Sequence, residues 1–296
     1  MRTWLLTLAV LGAAACSTHP HEHSQAHAPA AATIPLNLKY GAPLLRLSIA
    51  GGDEADAIFD TGSQGAVVNI DYARAHALAN EGLDYVVSPL GGDRIEGFRT
   101  TIRNARLSGV SIPAFSAVAV PLDLGAPVAV LSPDAFPGQI VTLDFAAAEL
   151  RIAPRNVASP PQGVESGYDA SSLPTIALNV AGRILHAHLD TGADHAISMP
   201  LALAADIPLH APPRLSGRLE SIGAQLDVYT ARVRGKVVVG PLTLRDPEIE
   251  FVDSPTPQFN IGMNLIRRMI VALDPERKRV WTQARLANNT AMDANT

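Results

Sequence analysis

Phe59-Asp60-Thr61-Gly62-Ser63 and Leu189-Asp190-Thr191-Gly192-Ala193 carry the same Asp-Thr-Gly tripeptide 130 residues apart. The sequence around each copy matches the other at that same offset. Gly52 falls on Gly182, Leu131-Ser132 on Ile261-Gly262, and Ile140-Val141-Thr142-Leu143-Asp144 on Ile270-Val271-Ala272-Leu273-Asp274. One Asp-Thr-Gly is a weak signal, because Asp and Gly are common in turns for conformational reasons alone. Two copies inside an in-register repeat indicate a duplicated unit that brings two carboxylates to one place.

The elements around each copy come in one order. A strand and a glycine turn (Leu44–Ala50 with Gly51-Gly52; Ile176–Val180 with Ala181-Gly182) lead to a second strand, Ala57–Phe59 or Ile184–Leu189, that ends on the Asp. A short helix is expected next, over Ile70–Ala79 behind Asn69 in one half and behind Ser198 as N-cap with Pro200 in the first turn in the other. Further strands follow, with turns at Gly91-Gly92, Ser108-Gly109, Ile222-Gly223 and Val239-Gly240. With 23 Pro, 22 Gly and short runs of Val, Ile and Leu, the chain reads as mostly β.

At 296 residues the chain has room for two modest lobes, each with its own core. The expected boundaries are a lobe over residues 34–154, a polar linker over 155–171, a second lobe over 172–286 and a loose tail over 287–296. A net charge of −5, with acids and bases interspersed, argues against a nucleic-acid surface. No internal apolar run reaches the 18 or so residues of a membrane span.

Residues 1–15 read as a signal peptide, with Arg2 in a short positive segment and an apolar run from Leu5 to Ala15. Gly12-Ala13-Ala14-Ala15-Cys16 is similar to a bacterial lipobox, although Ala13 replaces the usual Leu, and Cys16 is the single cysteine of the chain. Lipidation of Cys16 is therefore expected, with ordinary cleavage after Ala15 as the alternative, residues 16–33 as a His-rich tether and no intramolecular disulfide. This places the chain in the bacterial cell envelope, anchored to a membrane through its lipid. Ser17 after the cysteine is similar to lipoproteins sorted to the outer membrane, facing the periplasm. The tether histidines lack a carboxylate or thiol framework, so no resident metal or other cofactor is expected.

Two carboxylates about 3 Å apart cannot both ionise, so one proton is shared and the titration belongs to the pair. Such a pair suits hydrolysis of an amide. One carboxylate takes a proton from water while the other donates to the carbonyl oxygen under attack.

On the tandem motif, the chain resembles the pepsin and retroviral-protease superfamily of aspartic proteases. Asp190-Thr191-Gly192-Ala193-Asp194 is similar to the retroviral form of the motif and Asp60-Thr61-Gly62-Ser63 to the pepsin form. Phe259-Asn260-Ile261-Gly262-Met263-Asn264-Leu265 resembles the hydrophobic-hydrophobic-Gly segment that lies behind the catalytic turn. The resemblance implies two homologous β-rich lobes of the acid-protease fold with the active-site cleft between them. It implies a catalytic pair of Asp60 and Asp190, with Thr61 and Thr191 interlocking the turns. Gly62, Ser63, Gly192 and Ala193 would support the pair. Asp194, with Gln64 in its place in the first half, would hold substrate backbone, and Gly91-Gly92 and Ile222-Gly223 would be the tips of two flaps. A peptide or protein substrate is implied. Because one chain carries both halves, a monomer is expected.

Two departures carry expectations of their own. Ser132 stands where Gly262 stands, so packing behind Asp60 is expected to be altered. The Ser63 hydroxyl, opposite Ala193, is expected to donate to the outer oxygen of Asp60, making Asp60 the ionised partner and Asp190 the protonated one. His186 and His188 lie two apart on one strand with no third ligand evident, which favours a partly exposed face over a metal site, and His195 could touch substrate. The alternatives in other classes are a non-catalytic envelope lipoprotein that binds a peptide or partner between the lobes, and a purely structural tandem-β module.

Overall fold

The computed structural model describes residues 31–38, 41–87, 94–158, 161–221, 224–256 and 258–285. The signal peptide, Cys16, most of the tether, Gly91, Gly92, Ile222, Gly223 and the tail over 287–296 lie outside the described residues. The chain is mostly β, with 52% strand and 8% helix, consistent with a β-rich aspartic protease fold. Among the described residues no helix is long and apolar enough to cross a membrane.

Among the described residues each half builds one nine-stranded sheet, and the two share a strand order. The first runs Leu83–Val86, Ile95–Ile102, Phe115–Val120, Ala66–Asn69, Ala129–Leu131, Ala55–Phe59, Leu44–Ile49, Ala105–Leu107 and Val110–Ser111. The second runs Arg214–Ser221, Ala224–Arg232, Glu248–Val252, Ile197–Pro200, Asn260–Ile261, Arg183–Leu189, Thr175–Val180, Lys236–Val239 and Leu242–Arg245. Taken position by position, every strand of one sheet has its repeat partner in the other. The duplication seen in the sequence is therefore a duplication of topology.

A third sheet, of six strands among the described residues, is built by both halves, in the order Ala32–Pro35, Glu149–Pro154, Gln139–Asp144, Met269–Asp274, Arg279–Ala284 and Val164–Gly167. At its centre Gln139–Asp144 pairs antiparallel with Met269–Asp274, Thr142 opposite Ala272 and Val141 opposite Leu273. Since 142 and 272 are themselves repeat partners, a two-fold relation passes through that pair. Alternation at the centre buries Val141, Leu143, Val271 and Leu273 in the main core, while Ile140, Ala272 and Trp281 pack on the other face.

Three local expectations change. Asn69 does cap a helix, its side chain accepting from the N–H groups of Asp71 and Tyr72, but the helix is Ile70–Ala75. It stops early because Ala77 turns to φ 50. Ser198 is not an N-cap. It sits inside the strand Ile197–Pro200, paired with Glu250 on one side and Asn260 on the other, and a 3-10 helix over Leu201–Asp206 follows. The segment expected to be a polar linker contains a strand, Val164–Gly167, which covers the free edge of Arg279–Ala284. Ala32–Pro35 covers Glu149–Pro154 in the same way on the opposite edge.

Candidate active site

Asp60 follows the strand Ala55–Phe59, and Asp190 follows Arg183–Leu189. Each backbone is tied down by a neighbouring strand. The Asp60 N–H donates to Leu131 O at 2.9 Å and the Asp190 N–H to Ile261 O at 2.9 Å. The pairing behind Asp60 is thus kept despite Ser132, with Ala129, Val130 and Leu131 in register with Ala57, Ile58 and Phe59. Gly262 has a separate reason to be glycine. A Cβ there would lie 2.4 Å from the carbonyl oxygen of His195, and residue 65, the repeat partner of His195, is itself a glycine.

The two turns are joined by a reciprocal set of hydrogen bonds. The Thr61 N–H donates to Thr191 Oγ1 at 3.0 Å, and the Thr191 N–H to Thr61 Oγ1 at 3.1 Å. Each hydroxyl then donates across the interface, Thr61 to Leu189 O at 2.5 Å and Thr191 to Phe59 O at 2.7 Å. All four groups are buried, so water offers no substitute partner.

This interlock presses each carboxylate against the opposite glycine. A Cβ on Gly62 would stand 2.7 Å from Asp190 Cγ, and one on Gly192 would stand 2.8 Å from Asp60 Oδ2. Only glycine leaves room for the two carboxylates. Oδ1 of Asp60 accepts from the N–H groups of Gly62 at 2.7 Å and Gly192 at 3.2 Å, while the Gly192 N–H also reaches Asp190 Oδ1 at 3.0 Å. Oδ2 of Asp60 is buried with no hydrogen-bond partner among the described residues. Burial, and then the charge of Asp190, push the Asp60 carboxyl well above the usual carboxylate range, against the pull of the two glycine N–H groups.

The assignment of the ionised partner from Ser63 does not fit this geometry. The Ser63 hydroxyl turns away and donates to Gly65 O at 2.7 Å. With that donor spent elsewhere, Ser63 does not single out Asp60 as the ionised partner, and the raised Asp60 carboxyl shares its proton with Asp190 as a pair.

Of the other residues singled out from sequence, Gln64 donates its amide to Ser171 O at 2.7 Å, within its own chain. Asp194 and His195 line a recess that begins three residues beyond Asp190. His188 Nε2 lies 2.7 Å from Asp169 Oδ2, and His186 is exposed on the same strand. Among the described residues no group of three or more His, Cys, Asp or Glu is placed to hold a metal ion. Sequence reasoning passed over Glu250 and Asn260, which share the recess wall with Asp194. The signal for Asn260 was available, since it is an amide inside the apolar segment Phe259–Leu265.

A family profile described as aspartyl protease matches residues 176–265. The match takes in the second Asp-Thr-Gly and the Gly262 segment and supports the superfamily resemblance and a protease-type function. A search of curated proteins finds no match to the chain.

Proposed function

We propose that the chain is an aspartic endopeptidase that hydrolyses peptide bonds with a water activated between Asp60 and Asp190. The observation that supports this most is the reciprocal packing of the two carboxylates against Gly192 and Gly62, in a buried site where Asp60 is driven toward its protonated form. A pair that shares one proton offers a base and an acid side by side.

In the first step the ionised carboxylate of the pair, written here as Asp190, removes a proton from the water as its oxygen attacks the peptide carbonyl. Asp60 gives its proton to the carbonyl oxygen, forming a neutral gem-diol. In the second step a hydroxyl proton of the gem-diol returns to Asp60, the amide nitrogen takes the proton held by Asp190, and the C–N bond breaks. The pair ends as it began, with one proton. The glycine N–H groups hold Asp60 Oδ1 in place throughout, and the threonine interlock fixes the distance between the turns.

The same proposal keeps the chain in the bacterial envelope, anchored through lipid on Cys16, from the residues of the N-terminal segment. Incorporation of labelled palmitate that is lost on Cys16→Ser tests that part.

The peptidase reading is tested by incubating the full chain with a peptide library between pH 4 and 7, alongside Asp60→Asn and Asp190→Asn. Cleavage by the wild type that both substitutions abolish is the expected outcome. Peptide binding without cleavage by the wild type would replace it with the non-catalytic binding protein.

A further inference from the structure

The recess beyond Asp190 is built from three sources. Asp194 and His195 come from the catalytic turn, Glu250 and Asn260 from strands on either side of Ile197–Pro200, and Leu219 and Val228 from the hairpin at the sheet edge. Its polar atoms are unbalanced. Asn260 is 7% exposed, and its Oδ1 is buried with no hydrogen-bond partner. The Nε2 atom of His195 is likewise buried with none. The His195 ring is hydrogen-bonded to the backbone of Asn260, and burial lowers its pKa to about 4, so above that pH the ring is neutral. A neutral imidazole that donates through one nitrogen offers a lone pair at the other. The residues lining the recess thus bring together two buried acceptors without hydrogen-bond partners and two carboxylates, and no Lys or Arg is among the described residues lining it.

A buried acceptor without a donor is a cost that a ligand can relieve. The matching group has several N–H donors, a positive charge and a narrow end. The cavity volume is about 30 Å³, room for roughly two waters. That suits a tetrahedral ammonium, with three donors on one atom, better than a flat guanidinium. Leu219 and Val228 offer apolar contact for a methylene stem.

We propose that this recess selects lysine at one position of the peptide beside the cleaved bond, its ammonium donating to His195 Nε2, Asn260 Oδ1 and the Glu250 carboxylate. The proposal rests on the peptidase reading for its place beside a cleaved bond, and the test separates the two.

Peptides identical except for Lys, Arg, Gln, norleucine or Glu at each position flanking the bond are compared by kcat/KM with the full chain. Lys is expected to exceed norleucine about tenfold or more at one fixed position, as a charge-assisted hydrogen bond would give. Glu250→Gln is expected to remove most of that preference, and Glu250→Lys to reverse it toward Glu, a gain that a misfolded variant would not show. In parallel, n-butylamine is titrated into the full-length Asp60→Asn variant while the His195 imidazole resonances are followed by NMR. Cleavage without a Lys preference at any position, or with Arg equal to or above Lys, overturns the lysine pocket and leaves the peptidase standing. Absence of cleavage, with n-butylamine shifting His195 in Asp60→Asn but not in Asp60→Asn/Glu250→Gln, upholds the pocket and overturns the peptidase.

Discussion

The guanidinium of Arg155 donates to the carboxylate of Asp274 at 2.8 Å, across 119 residues of chain. The repeat supplies its mirror image. Arg285 pairs with Asp144, and both of those residues stand 130 positions from their counterparts. Each half thus lends an arginine to the aspartate of the other at the two ends of the central strand pair. Asp274 is 1% exposed, and Arg155 is its ion-pair partner among the described residues. Arg155→Met leaves it buried without that cation, and stability should fall by about 3 kcal/mol. Urea unfolding should show a lower midpoint with an unchanged slope, and Arg155→Met/Asp274→Leu should recover part of the loss. An unchanged midpoint for Arg155→Met would show that the pair contributes nothing.

The threonine interlock makes a sharper demand, because it joins stability to chemistry. Thr191→Val keeps the shape of the side chain but removes the acceptor for the Thr61 N–H and the donor for Phe59 O. Two buried backbone groups lose their partners, at a cost of about 2–4 kcal/mol. The turns should also drift apart, with peptidase kcat falling about a hundredfold for a shift near 1 Å. Thr191→Ser retains the hydroxyl and should keep most of both. Equal behaviour of the Val and Ser variants in kcat and in urea midpoint would rule out the hydroxyl as the reason.

Much of this was legible in the sequence because the repeat is in register. Strands that deliver an Asp, a glycine that admits a carboxylate and a helix capped by Asn69 all leave local marks. The cross-strand partnership of Arg155 with Asp274 does not, since neither residue is unusual where it stands and only the shared offset hints at an exchange. Ser198 misled for a related reason. Ser198 with Pro200 two residues on fits a helix start, but strands from distant sequence pair with it on both sides, and tertiary pairing overrides local preference. Val164–Gly167 looked polar enough to be linker because it sits on a sheet edge with one face in solvent. Ser63 beside Asp60 suggested a donor, but the Gly65 carbonyl lies closer to hand. In each case the winning interaction came from geometry that a single stretch of residues does not encode.

Asp60 should make the folded chain less stable as pH rises. Its folded pKa lies above that of the unfolded chain, so between the two values the folded state holds a proton that the unfolded state has lost. The stability associated with that proton is present below the unfolded value near 3.8 and fades as pH climbs through the raised one. Asp60→Asn cannot ionise and retains an oxygen to accept from the Gly62 N–H. Its melting temperature should therefore exceed that of the wild type, by more at pH 7 than at pH 4, while peptidase activity is lost. A difference that is flat or shrinks with pH would contradict a raised Asp60.

His195 should act in the opposite sense over an overlapping range. Burial holds its folded pKa at about 4, against the ordinary value of 6.5 expected once the chain unfolds. Between those values the unfolded chain gains a proton that the folded chain refuses, so stability rises with pH there and is lost as pH falls from 6.5 toward 4. The full effect is about 3 kcal/mol. His195→Gln removes the titration, and its urea midpoint should change less than that of the wild type over this window. The imidazole resonances of His195 should titrate with a midpoint near 4. A midpoint near 6.5, or a His195→Gln variant whose stability falls with acid as steeply as the wild type, would mean that the ring is solvated and that its Nε2 is not an orphaned acceptor in the recess.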